Sequence, residues 1–195
     1  MKRFLSLLLA AALVAALAAG CSDGSETLGG LHHAVITIKD YGDVTLELDA
    51  DQAPITVAHF LDLAKSGFYD GLTFNRMQTG FVLQGGDGHG KPGGDETIKG
   101  EFLKNGVNNT ITHDRGVISM ARSNDLDSAS TQFFIVLQDG WRGSLDGLYA
   151  GFGHVTEGMD VIDRLCADLA VLPGDSMGFL NADDQPIIEK ITVRD

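Results

Sequence analysis

Cysteine is nearly absent from this chain, with Cys21 and Cys166 the only two among 195 residues. Cys21 closes an N-terminal targeting segment, so Cys166 has no intramolecular partner and a disulfide framework is excluded. Basic residues are also scarce: 14 Lys and Arg stand against 27 Asp and Glu. The formal charge of −13 becomes −15 once Lys2 and Arg3 leave with the targeting segment. Such a surface repels nucleic acid and anionic lipid, and neither is an expected partner. The longest apolar stretch, Phe4 to Leu17, falls short of the ~20 residues that cross a bilayer. No H-E-x-x-H or C-x-x-C spacing marks a metal centre, and the adjacent His32 and His33 would diverge on a strand. No metal and no cofactor is expected. No internal repeat is evident.

What the N-terminus does have is an address. Lys2 and Arg3 precede the apolar stretch, and Ala18-Ala19-Gly20 runs into Cys21. Residues 1–20 read as a lipoprotein-type signal peptide with Cys21 as the lipid attachment site. The competing reading is simple signal cleavage after Ala16-Leu17-Ala18. Residues 21–31 are small and polar and read as a tether, whose ten or so residues span roughly 17 Å root-mean-square. Residues 32–195 then form one domain with ample core. The expected location is extracytoplasmic, on a membrane through the lipid alone, as a monomer.

Within the domain, His33 to Lys39 and Asp43 to Asp49 alternate apolar and polar residues, the period of a strand, around a Tyr41-Gly42 turn. Pro54 opens a helix that runs to Ser66 and ends at Gly67, with Ile55, Ala58, Leu61 and Ala64 as its buried stripe. Further strands are predicted near 72–77, 80–84, 116–121, 132–138, 149–155 and 187–193, and a second helix over 157–167. Many short strands with two helices argue for an all-β barrel over an alternating α/β sheet. Residues 85–115 are a long excursion rich in Gly and Asn, of a length that is usually functional or mobile. Cys166, among Val161, Ile162 and Leu165, reads as a buried core residue.

Two motifs mislead. Gly85 to Lys91 spells G-x-x-x-x-G-K, but Pro92 stands where a magnesium-binding hydroxyl belongs, and Gly93-Gly94 forbid the helix that must follow. Gly174 to Gly178 spells G-x-S-x-G, yet Pro173 precedes it and a polar loop follows, so it reads as a surface turn. His113 is expected in a loop hydrogen bond, and His59 on the exposed or half-buried side of the first helix.

The most informative stretch is F-N-R-M-Q-T-G-F-V-L-Q-G-G-D, from Phe74 to Asp87. It sets Arg76, a permanent cation with a rigid fork of donors, beside apolar segments and Gln84. With S-M-A-R (Ser119 to Arg122), T-Q-F-F-I (Thr131 to Ile135), L-D-G-L-Y-A-G-F-G-H-V (Leu145 to Val155) and E-G-M-D-V-I (Glu157 to Ile162), it resembles the cyclophilins. These are β-barrel peptidyl-prolyl cis/trans isomerases, and the blocks follow the family's order across most of residues 33–195. The resemblance implies a closed eight-stranded antiparallel barrel capped by two helices, acting on proline-containing polypeptides. It implies that Arg76 and Gln84 are catalytic, with Phe81, Val82, Phe134 and Leu145 forming the proline pocket. Backbone groups at Ala121 and Arg122, with the side chain of Gln132, would line the groove for the residue before proline, and Tyr149 would cover its rim. Asn75, Val82, Ser144 and Tyr149 depart from residues frequent in the family, and the loss of a tryptophan at Ser144 implies weak cyclosporin binding. Trp141 lies three residues earlier, and the sequence leaves the position of its ring open. The expected function is acceleration of folding in exported proteins. A proline-peptide binding module without turnover is the competing reading, and a solute-binding lipoprotein would need two lobes that this length does not provide.

Overall fold

The computed structural model describes residues 27–172 and 175–195. The signal segment, Cys21 and most of the tether lie outside them. Eight strands dominate the domain: β1 (Leu31–Ile38), β2 (Gly42–Asp49), β3 (Phe74–Gln78), β4 (Val82–Gly85), β5 (Val117–Met120), β6 (Phe133–Val136), β7 (Gly151–Glu157) and β8 (Ile188–Val193). They form one antiparallel sheet in the order β3-β4-β6-β5-β7-β2-β1-β8. The sheet curls until its edges approach. Against the expected closed barrel, β3 and β8 share no ladder. They meet at a single Thr73–Ile187 bridge, flanked by Phe74 N–H to Pro186 O at 2.9 Å and Ile188 N–H to Leu72 O at 2.7 Å.

Helix α1 (Pro54–Lys65) packs on β8 and β2, α2 (Arg142–Leu145) is a single turn, and α3 (Met159–Leu169) packs on β2. The strand positions follow the alternation seen in the sequence. The β1–β2 turn includes the expected Gly42, at φ 122°, and has a second positive-φ residue just before Tyr41, Asp40 at φ 67°. Aspartate tolerates that conformation through its short polar side chain.

The buried face of α1 is also turned from the expected one. Thr56, Val57, Phe60, Leu61 and Ala64 face inward, whereas Ile55 is 42% exposed and Ala58 is half-buried. A distant residue sets this phase. Glu101, itself buried, accepts hydrogen bonds from Ile55 N (3.1 Å), Thr56 N (2.7 Å) and Thr56 Oγ1 (2.7 Å). The helix has no side-chain cap from Ala53, so this carboxylate satisfies its free N–H groups and the positive end of its dipole. Phe60 then enters an aromatic cluster, 5.4 Å from Tyr69, 5.7 Å from Phe133 and 5.3 Å from Phe152 between ring centroids.

Helix α3 begins two residues later than predicted, after Gly158 in a left-handed conformation, and buries Val161, Ile162, Leu165 and Leu169. Cys166 beside them is half-buried rather than fully so, and loss of solvation pushes its thiol up to about 12. A thiol held protonated in this way is a poor nucleophile.

Candidate active site

Strand β3 should alternate its side chains, which would put Phe74 and Arg76 on one face. A bulge prevents this. Phe74 opposes Gly85 on β4, but Arg76 already opposes Gln84, so Asn75 is an extra residue and the parity reverses behind it. Phe74 and Met77 therefore enter the core, and Arg76 emerges on the outer face beside Gln84. The adjoining strands continue both faces. Leu83, Phe133, Ile135 and Ile118 go inward, while Val82, Phe134, Val136 and Val117 pack in a smaller outer cluster with Leu145.

On that outer face lies an open cleft lined by Arg76, Phe81, Val82, Gln84, Ala121, Arg122, Phe134, Leu145 and Tyr149. Its floor is apolar: Val82, Phe134 and Leu145 are each no more than 4% exposed. Tyr149 stands edge-on to Phe134 with centroids 5.7 Å apart. A second cleft adjoins it through Gln84, Ala121 and Arg122 and adds Gln132, Ser123, Ser128 and Ser130. All ten described residues singled out in the sequence thus gather at two adjoining clefts; Cys21 lies outside the described residues.

The arginine is held from three sides. Its Nε donates to Met177 O at 2.8 Å, one terminal nitrogen to Gln84 Oε1 at 3.2 Å, and the other to Gln78 Oε1 at 2.8 Å. Gln84 in turn donates from Nε2 to Gln132 Oε1 at 2.8 Å, which fixes its amide with the oxygen toward Arg76. Among the described residues Arg76 makes no ion pair. Its charge is therefore fully available to a bound molecule. Two of its five N–H groups are left for that purpose.

Arg122 forms the wall between the clefts. It donates from Nε to Leu148 O and from a terminal nitrogen to Ser123 O, with its guanidinium 5.1 Å from the Phe102 ring and 4.7 Å from that of Tyr149. Ala121 has its N–H committed to Gln132 O at 2.9 Å. Trp141 is outside the cleft lining. Its indole donates to Gly80 O at 2.7 Å and leans on Phe81, with centroids 4.4 Å apart.

An arginine without an acid or base beside it, facing an apolar slot, suits binding and electrostatic stabilisation rather than hydrolysis. Comparisons with known proteins identify the family. The family described as cyclophilin type peptidyl-prolyl cis-trans isomerase/CLD matches residues 33–192. The chain belongs to that family and is an isomerase. The cyclophilin is 39% identical to peptidyl-prolyl cis-trans isomerase A of Dickeya dadantii over 140 residues, 68% of this chain and 70% of that one. It is also 39% identical to peptidyl-prolyl cis-trans isomerase B of Escherichia coli over 132 residues, 65% of this chain and 79% of that one. A crystal structure of a Cryptosporidium parvum cyclophilin superimposes with a TM-score of 0.69 at 28% identity, covering 85% of this chain and 99% of that one.

Three features of the cyclophilin's site escaped the sequence reading. Gln78 shares the outer face of β3 with Arg76, and a period of two could have found it. The Met177 carbonyl could not be found, because a backbone group carries no residue signature. Beneath Phe134, the buried His113 lies 6.2 Å away and nearly parallel to its ring. A carboxylate can only accept, so His113 Nδ1 donates to Asp146 Oδ1 at 2.8 Å and Nε2 accepts from the Ser119 hydroxyl at 3.0 Å. Burial lowers the His113 pKa, with Asp146 opposing. The neutral ring is a rigid support for the pocket floor.

Proposed function

We propose that this cyclophilin accelerates prolyl isomerisation in exported proteins, working from a lipid anchor at Cys21 on the extracytoplasmic side of a membrane. The barrier to turning the peptide bond is about 18–20 kcal/mol because amide resonance is lost on twisting. At the twisted geometry the proline nitrogen is pyramidal and carries a localised lone pair, which the planar ground state lacks. A guanidinium beside it donates a hydrogen bond only then, which is differential binding of the transition state. Arg76 fills this role, and Gln84 orients it. One such charged hydrogen bond contributes about 1.5–3 kcal/mol, or one to two decades in rate at about 1.4 kcal/mol per decade. The remainder falls to Phe81, Val82, Phe134 and Leu145, which hold the proline ring away from water. The reading rests above all on Arg76, free of any ion pair among the described residues, and aimed at the apolar cleft.

Magnetisation-transfer NMR of a short Xaa-Pro peptide tests it. The parent chain should accelerate cis/trans exchange, and Arg76→Ala should lower that acceleration at least about tenfold while peptide binding persists. Unchanged exchange in the variant would remove the arginine from the mechanism. The anchor is tested separately by fatty-acid labelling, which Cys21→Ser should abolish; labelling that survives the substitution would rule it out.

A further inference from the structure

The segment Asp175–Leu180, which carries the described part of the G-x-S-x-G motif that reads as a surface turn, lies against the arginine. Its last residues run antiparallel to β3: Arg76 bridges Phe179, Met77 N–H donates to Gly178 O at 2.8 Å, and Leu180 N–H donates to Asn75 O at 3.0 Å. This makes the segment a short extra rung at the edge of the sheet. It also brings the Met177 carbonyl to Arg76 Nε at 2.8 Å, which among the described residues is the one hydrogen bond at the root of the guanidinium. The Gln78 and Gln84 amides steer its tips.

Two residues shape the turn. The Asp175 carboxylate accepts from Met177 N at 2.8 Å and Phe179 N at 2.9 Å, while Gly178 N–H returns to Asp175 O at 3.1 Å. Gly178 sits at φ +85°, and a Cβ there would lie 2.4 Å from Met77 O. Any larger residue would push the turn off β3. The Phe179 ring lies against the guanidinium, its centroid 5.6 Å from the Arg76 guanidinium carbon.

We propose that the Asp175–Leu180 turn is the positioning element of Arg76, with Asp175 and Gly178 holding the Met177 carbonyl on Nε so that the free N–H groups face the proline nitrogen. This rests on the reading of Arg76 as the transition-state donor. A guanidinium with only its tips restrained swings about its own long side chain, and a misplacement of about 1 Å is enough to cost large factors in rate.

The test uses the full chain with Asp175→Ala, Asp175→Asn and Gly178→Ala, compared with Arg76→Ala. Asp175→Ala and Gly178→Ala should lower turnover on an Xaa-Pro peptide roughly fivefold or more with the peptide dissociation constant unchanged. The Arg76 Nε–H resonance should shift and lose its protection from solvent exchange in both. Asp175→Asn keeps an acceptor oxygen for both N–H groups and should restore turnover and resonance together. Released Nε–H with parental turnover overturns the proposal, as does a fall in turnover matched by weaker peptide binding. If Arg76→Ala itself keeps full turnover, the arginine mechanism and this proposal fall together. If Arg76→Ala is impaired while Asp175→Ala and Gly178→Ala are not, only the proposal falls.

Discussion

Strands β4, β5 and β6 build two apolar regions that differ only in which face of the sheet they occupy. On the inner face, Leu83, Ile118, Phe133 and Ile135 meet α1 and α3 in a core closed on every side. Phe133 is its hub, within 5.7 Å of Phe60 and Tyr69 and 6.1 Å of Phe74 between ring centroids. On the outer face, Val82, Val117, Phe134, Val136 and Leu145 form a smaller cluster. It is covered only in part, and polar groups rim it: Arg76, Gln84, Arg122 and Tyr149. The inner region is finished without a ligand. The outer one stays open to solvent at the half-buried Phe81 and Tyr149, where the proposed proline site lies.

The sharpest way to break this contrast is to truncate the neighbours Phe133 and Phe134. Phe133→Ala should cost about 3–5 kcal/mol of stability by leaving a cavity in the core, read in urea unfolding. Phe134→Ala, at a residue 4% exposed, should also cost stability. In addition it should cost about 1.5–3 kcal/mol of peptide affinity, roughly ten- to hundredfold in the dissociation constant, which Phe133→Ala should leave unchanged in the folded fraction. Equal stability losses with unchanged peptide binding would erase the distinction between the faces.

A smaller effect is expected at Glu101, which belongs to neither face but fixes α1 against the inner one. Glu101→Ala should destabilise by about 1–3 kcal/mol, since buried N–H groups lose their acceptor, with peptide affinity unchanged in the fraction that stays folded. A melting temperature equal to that of the parent would mean that water caps the helix just as well.

The smallest effect should come from pH. Burial lowers the His113 pKa from its ordinary 6.5, although Asp146 pulls the other way. Folding therefore favours the neutral ring. The stability it contributes is complete above pH 6.5 and is lost as the pH falls from there through the lower folded value. Thermal melts between about pH 7 and pH 5 should fall more steeply for the parent than for His113→Gln. Parallel slopes would show that the outer face has no titrating support beneath Phe134.

Much of this was legible in the chain itself. Alternation in Val44, Leu46 and Leu48 marked β2, Pro54 and Gly67 bracketed α1, and the blocks around Arg76, Phe134 and Leu145 pointed to one site. The strand and helix signals are local, because strand period and proline geometry depend only on near neighbours. The site residues came instead from the resemblance of those blocks to a family. The phase of α1 was not local, since Glu101 sets it from 46 residues beyond Ile55. Nor was the face on which Arg76 emerges. That depends on the extra residue Asn75 within the β3–β4 ladder, whose Oδ1 is buried without a hydrogen-bond partner among the described residues. The chain by itself determined which residues make the pocket and the charge. Only the tertiary structure decided where the guanidinium points, because a strand bulge and a backbone carbonyl from a distant turn set its direction, and neither has a side-chain signature.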